Sequence, residues 1–196
     1  AVNEHTIQWE RGLLPYVLDV IADILELMME MGEGDTLIML VLDFVNAFFL
    51  LPLRREEYRY FVAAFRGSFF VWLRVAQGSK NGPQLFGRAS AQATRFTASL
   101  ASSSQLRQQT YTDDPWLAIR GTKKYVDELT ATVILMWLAL GFPLAFDKGQ
   151  RGQHITWVGH DIAIDTIAVQ VTSSIKAEFM RELGTTTKQL MANNVC

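Results

Sequence analysis

Apolar runs and short polar breaks alternate along the chain, and the spacing of the apolar residues predicts an ordered series of helices and strands. Residues 15–31 place apolar side chains at helical spacing and stop at Gly32, which predicts a first helix. Residues 36–42 are apolar without alternation, which indicates a strand covered on both faces. Asp43 follows this run directly, so the pattern places a carboxylate at the end of a buried strand.

The next segments predict a strand pair and a helix. Residues 60–65 and 69–75 have the composition of two strands joined by a turn at 66–68. Pro83 is well placed to begin a helix over residues 84–100, because proline suits the first helical position.

A second strand pair is predicted at residues 106–112 and 116–119, with Asp113, Asp114 and Pro115 at its bend. The remaining predicted elements are a helix at 123–140 capped by Thr122, a short strand at 144–146, strands at 154–159 and within 162–171, and a last amphipathic helix at 173–191. Strands that pair locally, with helices packed on one face of an antiparallel sheet, make this an α+β fold.

Composition indicates a folded intracellular chain. Its 196 residues, 49% hydrophobic and 19% charged, suit one globular unit, and a net charge of −2 gives no global basic character. One cysteine, Cys196, excludes a disulfide framework and a cysteine-based zinc site. The histidines are too scattered for a metal cluster. They are His5, His154 and His160.

No membrane association is expected. Charged residues interrupt the first residues, which argues against a signal peptide. The uncharged run at 131–146 is shorter than the roughly 20 residues of a spanning helix and contains Gly141 and Pro143, so a buried helix followed by a strand is expected.

Three carboxylates are the candidate chemistry. An isolated Asp113-Asp114 pair is more often a solvated turn than a metal site, but Asp43 in its apolar surroundings favours a shared site. Such an oxygen-rich set suits magnesium, and two such ions can support an in-line phosphoryl displacement. The sequence contains no Walker A loop, nucleophile elbow or His-Glu-x-x-His motif that would indicate another chemistry.

Five segments together resemble reverse transcriptases of the long-terminal-repeat retrotransposon and retroviral type. They are LDFVNAFFLLPL at 42–53, QGSKNGPQLF at 77–86, YTDD at 111–114, LGF followed by Lys148 within 140–148, and WVGH at 157–160. They occur in the order and at the spacings of that family and cover most of the chain. Two departures are Pro115 after the aspartates and Gly82, where serine is more usual.

The resemblance implies a polymerase palm with part of the fingers, truncated before most of the thumb. The implied single reverse transcriptase domain at 1–196 divides into palm at 35–53 and 81–172, a fingers insertion at 54–80, and the start of the thumb connection at 173–196.

The resemblance also implies the roles of individual residues. The catalytic residues would be Asp43, Asp113, Asp114 and Lys148, and the metal ligands would be the three aspartates with the carbonyl of Phe44, holding two Mg²⁺ ions for which Mn²⁺ is a possible substitute. Nucleotide-binding residues would be Phe48 as a steric gate, Gln77, Gly78 and Lys80, and the primer grip would comprise Trp157, Val158, Gly159 and His160. From the pattern alone, Phe48 suits core packing as well as it suits the gate, Trp157 is more typical of a core aromatic residue, and Lys148 is more typical of a surface charge.

The implied function is RNA-directed DNA polymerisation: two-metal transfer of deoxynucleotides to a primer 3′ end on an RNA or DNA template. The implied partners are the template-primer duplex, deoxynucleoside triphosphates, and the fingers, thumb and RNase H regions of a longer polyprotein, in a cytoplasmic retroelement particle or the nucleus. Two alternatives stay open: the palm of a viral RNA-dependent RNA polymerase, and an inactive nucleic-acid-binding retroelement fragment.

Overall fold

The computed structural model describes residues 4, 13–166, 168–178 and 181. Its helices are α1 (Val17–Met29), α2 (Gly82–Ala98) and α3 (Lys123–Ala139), with 3-10 helices at Ala47–Leu50, Arg55–Tyr60 and Phe146–Lys148. Its strands are β1 (Thr36–Val41), β2 (Val62–Phe65), β3 (Ser68–Val71), β4 (Leu106–Tyr111), β5 (Asp114–Gly121), β6 (Gln150–Gly152), β7 (His154–Trp157), β8 (His160–Ala163) and β9 (Ala168–Val171). Residues 173–178 are helical, and most of the helix predicted to reach residue 191 lies outside the described residues.

A four-stranded antiparallel sheet in the order β4-β5-β1-β6 organises the chain. Its inner strand β1 sends Leu40 into one core, while Met39 and Val41 enter another. This arrangement confirms that the unbroken apolar run of β1 is covered on both faces, because alternate side chains of a strand point to opposite faces.

Helices α2 and α3 cover one face of the sheet, where Phe44, Phe86 and Trp137 are buried. The opposite face is covered by α1 and by the three-stranded sheet β7-β8-β9. The α+β class with an antiparallel sheet is confirmed. Helix α1 differs from the expectation that the helices share one face, because its apolar stripe packs with Trp116 and Trp157 in the second core.

The hairpin β2–β3 projects from this body as a separate two-stranded sheet. Arg66 and Gly67 both adopt positive φ in its two-residue turn, the backbone that matches the twist of a tight hairpin. The predicted hairpin is therefore confirmed with shorter strands, and most of its side chains are exposed.

One local prediction was wrong, and one cap was right. The segment predicted as a strand at 144–146 forms only an isolated bridge between Leu144 and Phe44 before a 3-10 helix begins. The helix α3 does begin at a Thr122 cap, since the Thr122 hydroxyl accepts the backbone N–H of Tyr125 at 3.3 Å. Within the described part of the chain, every helix is too short or too polar to cross a lipid bilayer.

Candidate functional site

Asp43 lies at the end of β1, against the tip of the β4–β5 hairpin. The backbone N–H of Leu42 donates to the carbonyl of Pro115 at 3.2 Å, and that of Phe44 donates to the carbonyl of Asp113 at 3.0 Å. These two bonds continue the β1–β5 ladder beyond the strand on either side of Asp43. The sequence-distant carboxylates are thereby brought to one edge of the sheet.

The hairpin turns at Thr112 and Asp113, because Tyr111 pairs directly with Asp114. The expected bend over residues 113–115 was therefore too broad, and Asp114 and Pro115 belong to β5. Thr112 adopts a φ of 57°, as a two-residue turn requires. This tight turn places Asp113 at the tip and Asp114 on the strand beside Asp43.

Lys148 provides the cation of the site. Its Nζ donates to Asp43 Oδ2 at 2.5 Å, while its side chain stays 66% exposed and that of Asp43 is 21% exposed. The backbone N–H of Ala145 donates to the carbonyl of Asp43 at 2.9 Å, which anchors the 3-10 helix that carries Lys148. The backbone segment that carries Lys148 is therefore hydrogen-bonded to the backbone of Asp43.

The two hairpin carboxylates lie in an environment that disfavours their charge. Burial, followed by the negative charges of Asp113 and Asp43, raises the pKa of Asp114 to about 6. Burial also raises the pKa of Asp113, with a further contribution from Asp43. The hydrogen bond to Asp43 raises the pKa of Lys148. Three carboxylates thus share one ammonium group, and the site retains excess negative charge.

The donor chemistry of this site fits a hard divalent cation. Among the described residues no group of three or more acidic, histidine or cysteine side chains is arranged as a formed metal cage. Magnesium does not require such a cage, because it keeps waters and needs only one or two protein carboxylates. Asp43, Asp113 and Asp114, with the carbonyl of Phe44, could supply the oxygens and the negative charge for it.

Two clefts meet at Asp43 and Lys148, which line both of them. The larger cleft, of about 390 Å³, also contains Asp113 in its wall. The smaller cleft, of about 250 Å³, contains Asp114 instead. The carboxylate set therefore stands between two spaces that could receive two different groups.

Phe48 and Gln77 form part of the wall of the larger cleft. The ring of Phe48 packs edge-on against Phe86 with centroids 6.1 Å apart, so it is both a core residue and a cleft residue. Gly78 and Lys80 lie in the exposed loop that continues from Gln77, and they are not part of this wall. Of the four predicted nucleotide-binding residues, two line the cleft.

The β7–β8 hairpin borders the smaller cleft through Trp157 and Val158. Trp157 is 2% exposed, and its Nε1–H donates to the carbonyl of Asp114 at 3.0 Å. Val158 and Gly159 adopt positive φ in the turn, and His160 begins β8. The predicted primer grip is thus adjacent to the carboxylates, with Trp157 buried as its support and Val158 facing solvent.

A groove of about 630 Å³ between α2 and β4 was missed by the sequence patterns. Small and polar residues of α2 line it at helical spacing, namely Gly87, Ala91 and Thr94. Gln108 on β4 donates from Nε2 to the Thr94 hydroxyl at 3.3 Å across its floor. The sequence patterns do not show which strand faces α2, so they do not predict this groove.

The sequence matches no protein-family model and no curated protein. Solved structures do match its fold. A foamy viral protease-reverse transcriptase in complex with dsDNA aligns with a TM-score of 0.67 and 16% identity over 90% of this chain and 33% of that chain. The same protein in complex with an RNA/DNA hybrid aligns with a TM-score of 0.56 and 18% identity over 73% of this chain and 18% of that chain. The chain has a retroviral reverse transcriptase-like fold and spans a third or less of these neighbours.

Proposed function

We propose that this chain is the palm of an RNA-directed DNA polymerase, and that it adds deoxynucleotides to a primer 3′ end on an RNA or DNA template. The observation that carries the proposal is the convergence of Asp43, Asp113 and Asp114 with Lys148 between two clefts. The reverse transcriptase-like fold supports it, and the solved neighbours hold dsDNA or an RNA/DNA hybrid.

Each cleft then has its own role. The larger cleft, with Phe48 and Gln77 in its wall, receives the incoming deoxynucleoside triphosphate, and the smaller cleft beside Val158 receives the primer end. Asp43 lines both clefts, so it orients both reacting groups. Two divalent cations, when bound, would neutralise charge on the attacking and leaving oxygens.

The chain's own residues contribute positioning and proton transfer. The hydrogen bonds from the Leu42 amide to the Pro115 carbonyl and from the Phe44 amide to the Asp113 carbonyl hold the two catalytic aspartates in register. Lys148 holds a proton at Nζ on the border of the larger cleft, where it can meet the leaving pyrophosphate. Phosphoryl transfer asks little covalent chemistry of a protein, so this positioning is the main contribution.

Primer extension on an RNA template tests the proposal. The chain is assayed with magnesium and deoxynucleotides, alone and within a longer polypeptide that supplies the regions before and after it. We expect extension that Asp113→Asn reduces by about a thousandfold or more, since an amide cannot replace a metal-binding carboxylate. Asp127→Asn, which changes an exposed partner of Arg151, serves as the control. Extension that persists in Asp113→Asn would overturn the proposed metal site.

A second candidate is nucleic-acid binding without catalysis. It is favoured by the bond between Lys148 and Asp43, which engages one oxygen of a carboxylate that the catalytic proposal needs for metal binding. Tight binding of a primer-template duplex with no extension in the longer polypeptide would select this candidate. Equal incorporation of ribonucleotides would instead select an RNA-synthesising palm.

A further inference from the structure

The contact between Lys148 and Asp43 occupies one of the two carboxylate oxygens that Asp43 could offer to a divalent cation. Lys148 Nζ lies 2.5 Å from Asp43 Oδ2, which is the closest approach of any cation to this carboxylate in the described site. We propose that Lys148 is a built-in substitute cation, which holds Asp43 in the metal-free chain and is displaced when a divalent cation binds. This inference rests on the proposed function, because it assumes that Asp43 is a metal ligand.

Hydrogen bonds fix the backbone of Lys148, but its ammonium group remains free to move. The amide of Ala145 is bonded to the carbonyl of Asp43, and the amide of Gly149 is bonded to the carbonyl of Phe146 at 3.2 Å. The first bond ties the start of the 3-10 helix to Asp43, and the second closes the helical turn that contains Lys148. The lysine side chain itself is 66% exposed, so it can swing into solvent or into a cleft without disturbing the core.

The charges around Lys148 explain why it stays on Asp43 until metal arrives. The acidic groups that interact with its ammonium are Asp43 by direct contact, and Asp147, Asp114 and Asp113 through their charge. Its single positive charge compensates only part of the three-aspartate charge. A divalent cation brings twice the charge and can contact several oxygens at once, so it outcompetes the lysine. The ion pair between Lys148 and Asp43 must be broken first, which lowers the net affinity of the site for the cation.

Displacement would also change what the lysine can do. While it is bonded to Asp43, its ammonium is engaged on the carboxylate between the clefts. Once released, it remains attached beside the larger cleft, which it lines together with Phe48 and Gln77. Binding of the metal would thereby release the Lys148 ammonium to contact the nucleotide phosphates.

Mn²⁺ binding to the chain without nucleic acid tests this inference, with free Mn²⁺ measured by electron paramagnetic resonance. We expect Lys148→Gln to lower the Kd for Mn²⁺ by about tenfold, because affinity rises with the uncompensated charge of the ligand set. Lys148→Arg retains the positive charge, so it should bind Mn²⁺ as weakly as the unsubstituted chain does. The matched control is Lys124→Gln, which removes the same charge from an exposed pair with Glu128 and should leave the Kd unchanged.

A second measurement uses the unsubstituted chain. In a ¹⁵N-lysine NMR spectrum, the protected Nζ signal that Lys148→Arg removes should disappear as Mg²⁺ is added. A Lys148→Gln variant that binds Mn²⁺ no more tightly than the unsubstituted chain would refute the displacement while leaving the metal site intact. If Asp43→Asn leaves Mn²⁺ binding unaltered, the metal site fails and the displacement fails with it.

Discussion

Asp114 is the residue at which the demands of the site and of the fold conflict most directly. Its folded pKa of about 6 lies above its ordinary value of 3.8, mainly because of burial. The folded chain therefore binds a proton here more readily than the unfolded chain. Stability from this group is complete below about pH 4 and is lost as the pH rises through 6. At neutral pH, Asp114 weakens the fold that holds it.

Asp114→Asn should consequently stabilise the chain at pH 8, because it removes a half-buried charge that neighbouring carboxylates repel. We expect the midpoint of thermal unfolding to rise by about 2–4 °C, the shift that 1 kcal/mol produces in a chain of this size. The gain should vanish near pH 4, where Asp114 is already neutral. Circular dichroism melts at both pH values check this, and a loss of stability at pH 8 would contradict it.

Phe48 is the second residue whose role can be measured separately. Phe48→Ala opens the wall of the larger cleft, so we expect discrimination against ribonucleotides to fall by about tenfold or more in the longer polypeptide. The control is Phe96→Ala on α2, at a side chain that is 42% exposed and lies outside the wall of the larger cleft. Competing deoxy- and ribonucleotide incorporation is the measurement. If both variants relax selection equally, Phe48 is a packing residue only.

At the scale of elements, a hydrogen bond from Trp157 joins the β7–β8 hairpin to the carboxylate hairpin. Trp157→Phe removes the bond from the indole to the Asp114 carbonyl and keeps an aromatic ring. We expect a loss of about 1 kcal/mol in stability, together with weaker use of primer. Trp137→Phe is the matched control, because its indole loses a bond of 2.8 Å to Thr97 in the other core.

Denaturant melts and primer titrations separate these effects. Both variants should lose similar stability, and only Trp157→Phe should raise the KM for the primer-template duplex. An equal rise in both would show that the hairpin contact is structural and has no special link to primer.

The elements that the sequence predicted well are those whose pattern has one physical interpretation. The run at 36–42 is short and lies between a turn and Asp43, which favours a strand covered on both faces over a helix, and the glycine after Arg66 favours a tight turn. Asp114 and Pro115 were predicted to lie in the turn, because an aspartate pair before proline has the composition of a turn. Their pairing with β4 places both of them in the strand instead. The groove along α2 required knowledge of which strand faces that helix.

The candidate site was predictable in its membership and not in its contacts. Asp43, Asp113 and Lys148 lie in segments that match the family motifs in order and spacing, so the resemblance predicts that they converge. The bond from Lys148 to Asp43 and the burial of Trp157 depend on side-chain packing across elements far apart in the chain. Sequence patterns contain no distance between such residues.

At the scale of the whole molecule, two cores share the strands β1 and β5. Adjacent residues Met39 and Leu40 point into different cores, so the sheet cannot lose one core without exposing the other. We expect the described body to unfold in one cooperative transition. Met39→Ala and Leu40→Ala should each cost about 2–5 kcal/mol and shift the same transition.

Denaturant melts followed by near-ultraviolet and far-ultraviolet circular dichroism test this cooperativity. Leu135→Ala, at a side chain that is 65% exposed, is the control and should change stability by less than about 0.5 kcal/mol. Separate transitions for the two variants would mean that the cores are independent.

Gly82 offers a route by which substrate range could drift during evolution. A methyl group added at Gly82 would lie 3.3 Å from Phe48 Cδ1, so the ring would have to move by a few tenths of an ångström. Because Phe48 also forms a wall of the larger cleft, such a shift changes the space open to a ligand. A substitution at Gly82 could therefore change which ligands fit the larger cleft, although Gly82 is not in its wall and every carboxylate stays in place.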